Sequence, residues 1–315
     1  MAASAVRRAS RSRARIIGTI AILIISLLLI SIFVIVSINY IENENIDSKA
    51  NDNFKYIIDD YNNNLEIISR DSIDKITDRI YNGLKISDSR KEIKKVLNKK
   101  LDKKNKEYKQ KYDVNIHSEV LSIKNTADPI KYLFKVKINV KKENEEYNGV
   151  LEKNVSIEGL RDPLPIAKLG PLYGISFDDN RIYYNNGLTI YLKLHKIESA
   201  ESYLYATTPT IIKKCPFDPY IHHGDGDTLK NCLKNGYFHE SRDGSCYLCR
   251  LEGKGTCSHY GLEVFIHPHT ILKNDSVSCV DHVVFHDHYL GEKLDDLDIN
   301  SLILDSSHGK KYGLI

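Results

Sequence analysis

The chain has 315 residues with 45 Lys or Arg and 42 Asp or Glu, which gives a formal net charge of +3 at pH 7. Five arginines precede residue 16, so the rest of the chain is close to neutral and offers no general case for nucleic-acid binding. The length leaves room for more than one domain.

The first predicted element is an apolar segment near the N-terminus. Ile16–Ile38 contains no charged residue and is long enough, at about 1.5 Å per helical residue, to cross a bilayer of about 30 Å. Arginines precede it, and acidic residues follow it from Glu42 onward. By the positive-inside rule, we expect a cytoplasmic basic tail at 1–15, a transmembrane anchor at 16–40 and an extracellular C-terminal part. A cleaved signal peptide is the alternative, but its apolar core is shorter, about 7–15 residues, and ends in small residues.

Residues 41–111 carry the spacing of amphipathic helices. Apolar side chains recur every three or four positions, and Asn82-Gly83 interrupts the pattern. The apolar positions are Phe54, Ile57, Ile58, Tyr61, Leu65, Ile68, Ile73, Ile76, Ile80, Leu84, Ile93, Val96, Leu97 and Leu101. We therefore predict a helical stalk whose single apolar face packs on the next part of the chain. A self-associating coiled coil is the alternative, although no strict heptad is sustained.

Residues 112–165 change to the period of β-strands. Tyr132–Val140 alternates apolar and charged residues, and Tyr147–Ile157 follows it after a polar turn at Glu143–Glu146. This pattern predicts an antiparallel sheet, and with the preceding helices it predicts an α+β fold. The complete expectation is an N-terminal transmembrane helix, a helical stalk, an antiparallel sheet and then a loop-rich β module with disulfides.

The remaining residues, 166–315, form an outer module rich in cysteine and histidine. All six cysteines of the chain lie there, and an even number of cysteines in an exported segment favours disulfides. The candidates for bridging are Cys215, Cys232, Cys246, Cys249, Cys257 and Cys279. We predict three bridges, with Cys246 and Cys249 paired outside their own CxxC motif, because a bridge across two residues is typical of redox catalysts.

Metal binding is the alternative use of this module. Cys246 and Cys249 have the spacing of a zinc knuckle, which Cys257 or His259 could complete as a tetrahedral set. Histidines nearer the C-terminus could also chelate a cation if they share one face of a strand or helix. These are His282, His286 and His288.

No motif for catalysis is present. The sequence has no HExxH, no GxSxG and no phosphate-binding P-loop, so we predict no catalytic residue and no cofactor other than zinc in the alternative above. Asn154 and Asn274 fit the acceptor pattern for N-glycosylation.

Four short blocks resemble segments of uncharacterised membrane-anchored surface proteins of methanogenic archaea. The blocks are Glu158–Pro163, Gly236–Ser241, Tyr247–Gly253 and Tyr260–Glu263. The basic leader and the apolar helix are also similar to the N-terminal layout of archaeal type IV pilin-like proteins, although the glutamate that pilins usually carry in that helix is absent. The resemblance implies an anchored surface protein and gives no catalytic residue.

We therefore predict a single-pass membrane-anchored extracytoplasmic protein with a structural or adhesive role at the cell surface, such as a minor pilin-like subunit. Its expected partners are the membrane and other surface or pilus subunits, without nucleic acid. The alternative is an extracellular metal-binding protein or metal-dependent enzyme that uses the Cys/His-rich module. A receptor ectodomain is a third alternative.

Overall fold

The chain has an α+β fold, in which helices accompany several small antiparallel sheets. The computed structural model describes residues 25–26, 28–32, 55–143, 145–170, 173–217, 226–268, 279–285 and 306–312.

The predicted fold class is wrong in its first element, the transmembrane helix. Across the residues that the structure describes, no helix combines the length and the apolar character needed to cross a membrane. Most of the predicted span Ile16–Ile38 lies outside the described residues, and within it 25–26 and 28–32 are helical.

Two long helices and a three-stranded sheet form the N-terminal half of the described chain. They are α1 (55–81), α2 (Ser89–Tyr112), β1 (Asn115–Asn125), β2 (Lys131–Lys142) and β3 (Glu145–Ser156). The sheet is antiparallel in the order β1-β2-β3, with a register shift between Val120 and Ser122.

Shorter elements form the C-terminal part. The helices are α3 (Leu164–Leu169), α4 (Gly187–Leu194), α5 (Gly226–Asn235), α6 (Tyr247–Leu251), α7 (Asp281–Val284) and α8 (Ser306–Lys311), with a 3₁₀ helix at Glu198–Tyr203. The strands are β4 (Ser176–Phe177), β5 (Arg181–Tyr183), β6 (Thr207–Pro209), β7 (His239–Ser241), β8 (Gly261–Glu263), β9 (Phe265–Ile266) and β10 (Cys279–Val280). They pair in small sheets as β4-β5-β6, β7-β8 and β9-β10.

The apolar stripe of α1 faces the core. Ile58 and Leu65 are buried, whereas Lys55 and Asp59 are exposed, as a spacing of three to four residues requires. Phe54, which begins the predicted stripe, lies outside the described residues.

The second helix presents its own apolar face to the sheet. Ile93, Leu97 and Leu101 are buried along α2. The helix begins after Asp88, whose side chain accepts the N–H of Lys91 at 2.9 Å and caps the first turn.

A buried polar cluster joins both helices to the sheet. The Tyr61 hydroxyl on α1 donates to Asn105 Oδ1 on α2 at 2.8 Å, and Asn105 Nδ2 donates to Ser118 Oγ on β1 at 2.9 Å. Burial raises the pKa of Tyr61 to about 12, so the hydroxyl keeps its proton for this contact.

The C-terminal part packs into the same core. Thr77 Oγ1 of α1 lies 2.7 Å from the hydroxyl of Tyr247 in α6. The Tyr81 hydroxyl donates to the Asp162 carbonyl oxygen at 2.8 Å. One apolar cluster includes residues of both long helices, of the sheet and of the C-terminal part. The described part of the predicted stalk, from residue 55 onward, therefore packs on the rest of the chain.

We expect Leu97→Ala to lower the free energy of unfolding by about 2–5 kcal/mol, because it removes a fully buried side chain from the face of α2 that packs on the sheet. Lys95→Ala, at an exposed position of the same helix, should change it by less than about 0.5 kcal/mol. Urea unfolding followed by circular dichroism measures both variants. Equal effects at the two positions would contradict this packing.

Candidate metal centre

The start of α6 places two cysteines one turn apart. Cys246 lies immediately before the helix in an extended conformation, and its carbonyl accepts the N–H of Arg250 at 2.9 Å. The Cys249 carbonyl accepts the N–H groups of Glu252 and Lys254, each at 3.0 Å. These hydrogen bonds close a turn that directs the chain back past both cysteines.

Gly253 allows this turn. Its φ of 72° lies in the left-handed region, which favours glycine. A Cβ atom there would lie 3.2 Å from the Ala167 carbonyl oxygen, a close approach that glycine avoids. The reversal brings Cys257 and His259 to the two thiols of α6.

The side chains of Cys246, Cys249, Cys257 and His259 converge. His259 Nδ1 lies 3.6 Å from Cys246 Sγ and 3.8 Å from Cys249 Sγ. Cys257 Sγ accepts the backbone N–H of Cys246 at 3.3 Å. One donor atom from each of the four residues lies within 4.8 Å of the others. The four residues thus surround a common point.

These distances match a tetrahedral zinc site. Zinc binds thiolate sulfur at about 2.3 Å and imidazole nitrogen at about 2.0–2.1 Å, so sulfur and nitrogen ligands on a tetrahedron lie about 3.6 Å apart. The His259 nitrogen lies 3.6 and 3.8 Å from the two sulfur atoms of α6, which agrees with that value. Three thiols and one imidazole fill the four positions of a structural zinc site.

The pKa values of the thiols in this centre are shifted in opposite directions. Hydrogen bonds from Cys249 and Cys257 hold the pKa of Cys246 well below its usual value, and Asn125 adds a further hydrogen bond in the same direction. The hydrogen bond to Cys246 raises the pKa of Cys249. The thiolate is the form that binds metal, and these shifts favour it at Cys246.

Contacts outside the four donors fix this loop on the helices and the sheet. The N–H of Tyr247 donates to the Tyr132 hydroxyl on β2 at 2.8 Å. The Glu252 carboxylate accepts the N–H and the hydroxyl of Ser89, at 2.9 and 2.8 Å, at the start of α2. Contacts of this kind orient the ligands of a metal.

A buried ion network lies on α6 itself. The Arg250 side chain is 0% exposed and donates to the two carboxylate oxygens of Asp162, at 2.8 and 2.6 Å. It also donates to Asp281 Oδ2 at 2.5 Å. Burial raises the pKa of Asp281 to about 6. Buried ion pairs thus fix the helix that contains Cys249 and directly follows Cys246.

The cysteines outside this centre are arranged differently. The sulfur atoms of Cys215 and Cys232 lie 3.4 Å apart, with His239 beside them, whereas a disulfide bond is about 2.05 Å long. Cys279 is buried on β10. All six cysteines are among the described residues, and none is joined in a disulfide there. Three of the six cysteines thus meet a histidine at one point, and the predicted disulfide bridges stay a prediction.

The other predicted site residues lie apart from this centre. His282 is buried in α7, where its ring lies against Glu263. Asn154 is exposed on β3, and nothing in the structure tests whether it is glycosylated. His286, His288 and Asn274 lie outside the described residues.

Sequence reasoning missed Glu263, His308 and Arg250 as members of buried clusters. Glu263 and His308 are 45 positions apart in the chain, so no local spacing connects them. The only signal was indirect, since two of the four blocks named above contain Arg250 and Glu263.

Comparison of the chain with protein-family models, with curated proteins and with solved structures finds no match. No residue role is therefore transferred from another protein, and the resemblance to archaeal surface proteins stays a prediction. The interpretation of the centre depends on its own geometry.

We expect Arg250→Met to lower the free energy of unfolding by about 3–5 kcal/mol, because it leaves the buried carboxylates of Asp162 and Asp281 without a counter-ion. Arg79→Met is the matched control. Arg79 is 41% exposed and pairs with Glu92 at 3.9 Å, so its loss should cost at most about 1 kcal/mol. Denaturant unfolding measures both variants, and similar losses would show that the Arg250 network is not buried in solution.

Proposed function

We propose that the chain is a metal-binding protein in which Cys246, Cys249, Cys257 and His259 hold one structural zinc ion. The observation that carries this proposal is the convergence of three sulfur atoms and one imidazole nitrogen within 4.8 Å of one another. Metal binding was the alternative function named from the sequence. No contact in the described part of the chain favours the structural or adhesive surface role over it, and that role stays a prediction.

The donor set supports a structural ion rather than a catalytic one. Catalytic zinc sites usually have three protein ligands and keep the fourth position for water or substrate, whereas structural sites are closed by four. Here four protein donors are available. The two cysteines of α6 are also buried, at 0% and 6% exposure, which limits access to the metal from that side.

A zinc ion at this point would stabilise a part of the chain that has little regular structure. The strands beyond β3 contain only two or three residues each among the described residues. Structural zinc contributes folding free energy directly and would add to the apolar packing of this part. The ion would connect α6 to the segment that carries Cys257 and His259, and Glu252 would pass this restraint to the start of α2.

The geometry also favours zinc over disulfide bonds within this centre. A bridge can join only two of the three cysteines and would leave the third thiol beside it. Zinc uses all three thiols and the imidazole of His259 in one closed set.

We expect the purified full-length protein to contain zinc and to lose stability when a strong chelator removes it. Cys249→Ser should lower the zinc content by one equivalent per chain. It should also abolish the thiolate-to-metal charge-transfer absorption of the cobalt-substituted protein, because the sulfur donors no longer form a complete set. Elemental analysis and near-ultraviolet absorption measure these two effects.

Cys279→Ser is the matched control, because it makes the same replacement at a buried cysteine outside the four donors. It should keep the charge-transfer absorption. Reducing agent should leave the wild-type protein folded. A protein without zinc that loses its structure on reduction would contradict the proposal and favour disulfides.

A further inference from the structure

Three buried side chains with metal-binding atoms meet at a second place, which includes none of the four donors of the first centre. Glu263 ends β8, His282 lies in α7 and His308 lies in α8. Their side chains are almost fully buried, with residue exposures of 0%, 3% and 3%. One donor atom from each lies within 4.8 Å of the others.

Both imidazole rings face the same carboxylate oxygen of Glu263. His282 Nδ1 lies 3.5 Å from Glu263 Oε2, and His308 Nε2 lies 3.3 Å from that oxygen. Zinc binds imidazole nitrogen at about 2.0–2.1 Å and carboxylate oxygen at about 2.0–2.2 Å, which places such ligands about 3.4 Å apart on a tetrahedron. Both observed distances agree with that spacing.

The other carboxylate oxygen of Glu263 is held from outside the cluster. Lys311 Nζ lies 2.9 Å from Oε1, and the Tyr312 hydroxyl donates to the same oxygen. Lys311 therefore neutralises the buried carboxylate from the side of Oε1. One oxygen is thus anchored while the other remains directed at the histidines, which is the outer-contact pattern of ligating carboxylates.

His282 supplies the observation that points to a missing partner. Its Nδ1 atom is buried and makes no hydrogen bond to any residue that the structure describes. A buried polar atom without a hydrogen bond calls for a partner, and a cation between the three donors would satisfy it.

We propose that Glu263, His282 and His308 form a second site for a divalent transition-metal ion of the zinc class. Two imidazoles and one carboxylate suit such ions. The site has no thiolate or thioether donor of the kind that selects copper(I). The ion binds independently of the cysteine centre and fastens the C-terminal helix α8 to β8 and α7. A metal-free ion network, in which Lys311 and His308 alone neutralise Glu263, is the competing account.

Zinc-loaded full-length protein, freed of excess metal, tests the proposal through the number of zinc ions per chain. We expect two ions in the wild type and one in His308→Ala, with the thiolate-to-cobalt absorption unchanged in the cobalt-substituted variant. His117→Ala, at an exposed histidine of β1, is the control and should keep both ions. A wild type with a single thiolate-bound ion, or a His308→Ala variant with two ions, would overturn the second site.

Tyr312→Phe tests the second site even if His308→Ala does not fold. It keeps all three donors but removes the hydroxyl that anchors Glu263 Oε1. We expect about 10–100-fold weaker zinc binding at the site without sulfur ligands, because loss of an outer partner has that effect on metal affinity. Unchanged affinity there would overturn the proposal. Absent thiolate-to-cobalt absorption would contradict the proposed cysteine centre. If His308→Ala still loses one ion in that case, the second site is supported independently.

Discussion

The structure depends on how one buried positive charge is paired. Arg250 is fully buried, and the carboxylates that neutralise it come from Asp162 and Asp281, which are far from it in the sequence. A buried charge without its partner is strongly destabilising, so three distant segments must meet around this guanidinium. The ion pairs also fix the orientation of Cys249 in this helix and of Cys246 directly before it, which face Cys257 and His259.

Both candidate metal centres lie next to this ion network. Cys249 directly precedes Arg250, and His282 directly follows Asp281, whose carboxylate accepts the His282 N–H at 2.8 Å. The network therefore holds the segments that carry one ligand of each centre without contributing a donor to either. In a region of very short strands, coordinated metal ions would add to the stability that the shared apolar core provides.

The sequence predicted the elements that are long and periodic. Positions such as Ile58 and Leu65 repeat at helical spacing and are buried, because one stripe of a long helix must face the core. The CxxC motif and its nearby ligands could be named because local spacing holds them together. Glu263 and His308 could not, because only tertiary packing joins them. The expectation of disulfides depended on an even cysteine count and on predicted export, neither of which specifies distances. The apolar segment Ile16–Ile38 predicted a membrane helix that is not found among the described residues.

X-ray absorption at the zinc edge of the full-length protein measures the donor atoms most directly. The account predicts sulfur scatterers at about 2.3 Å together with nitrogen at about 2.0–2.1 Å. A spectrum with nitrogen and oxygen scatterers alone would contradict it, as would a protein that carries no zinc and whose six cysteines are oxidised.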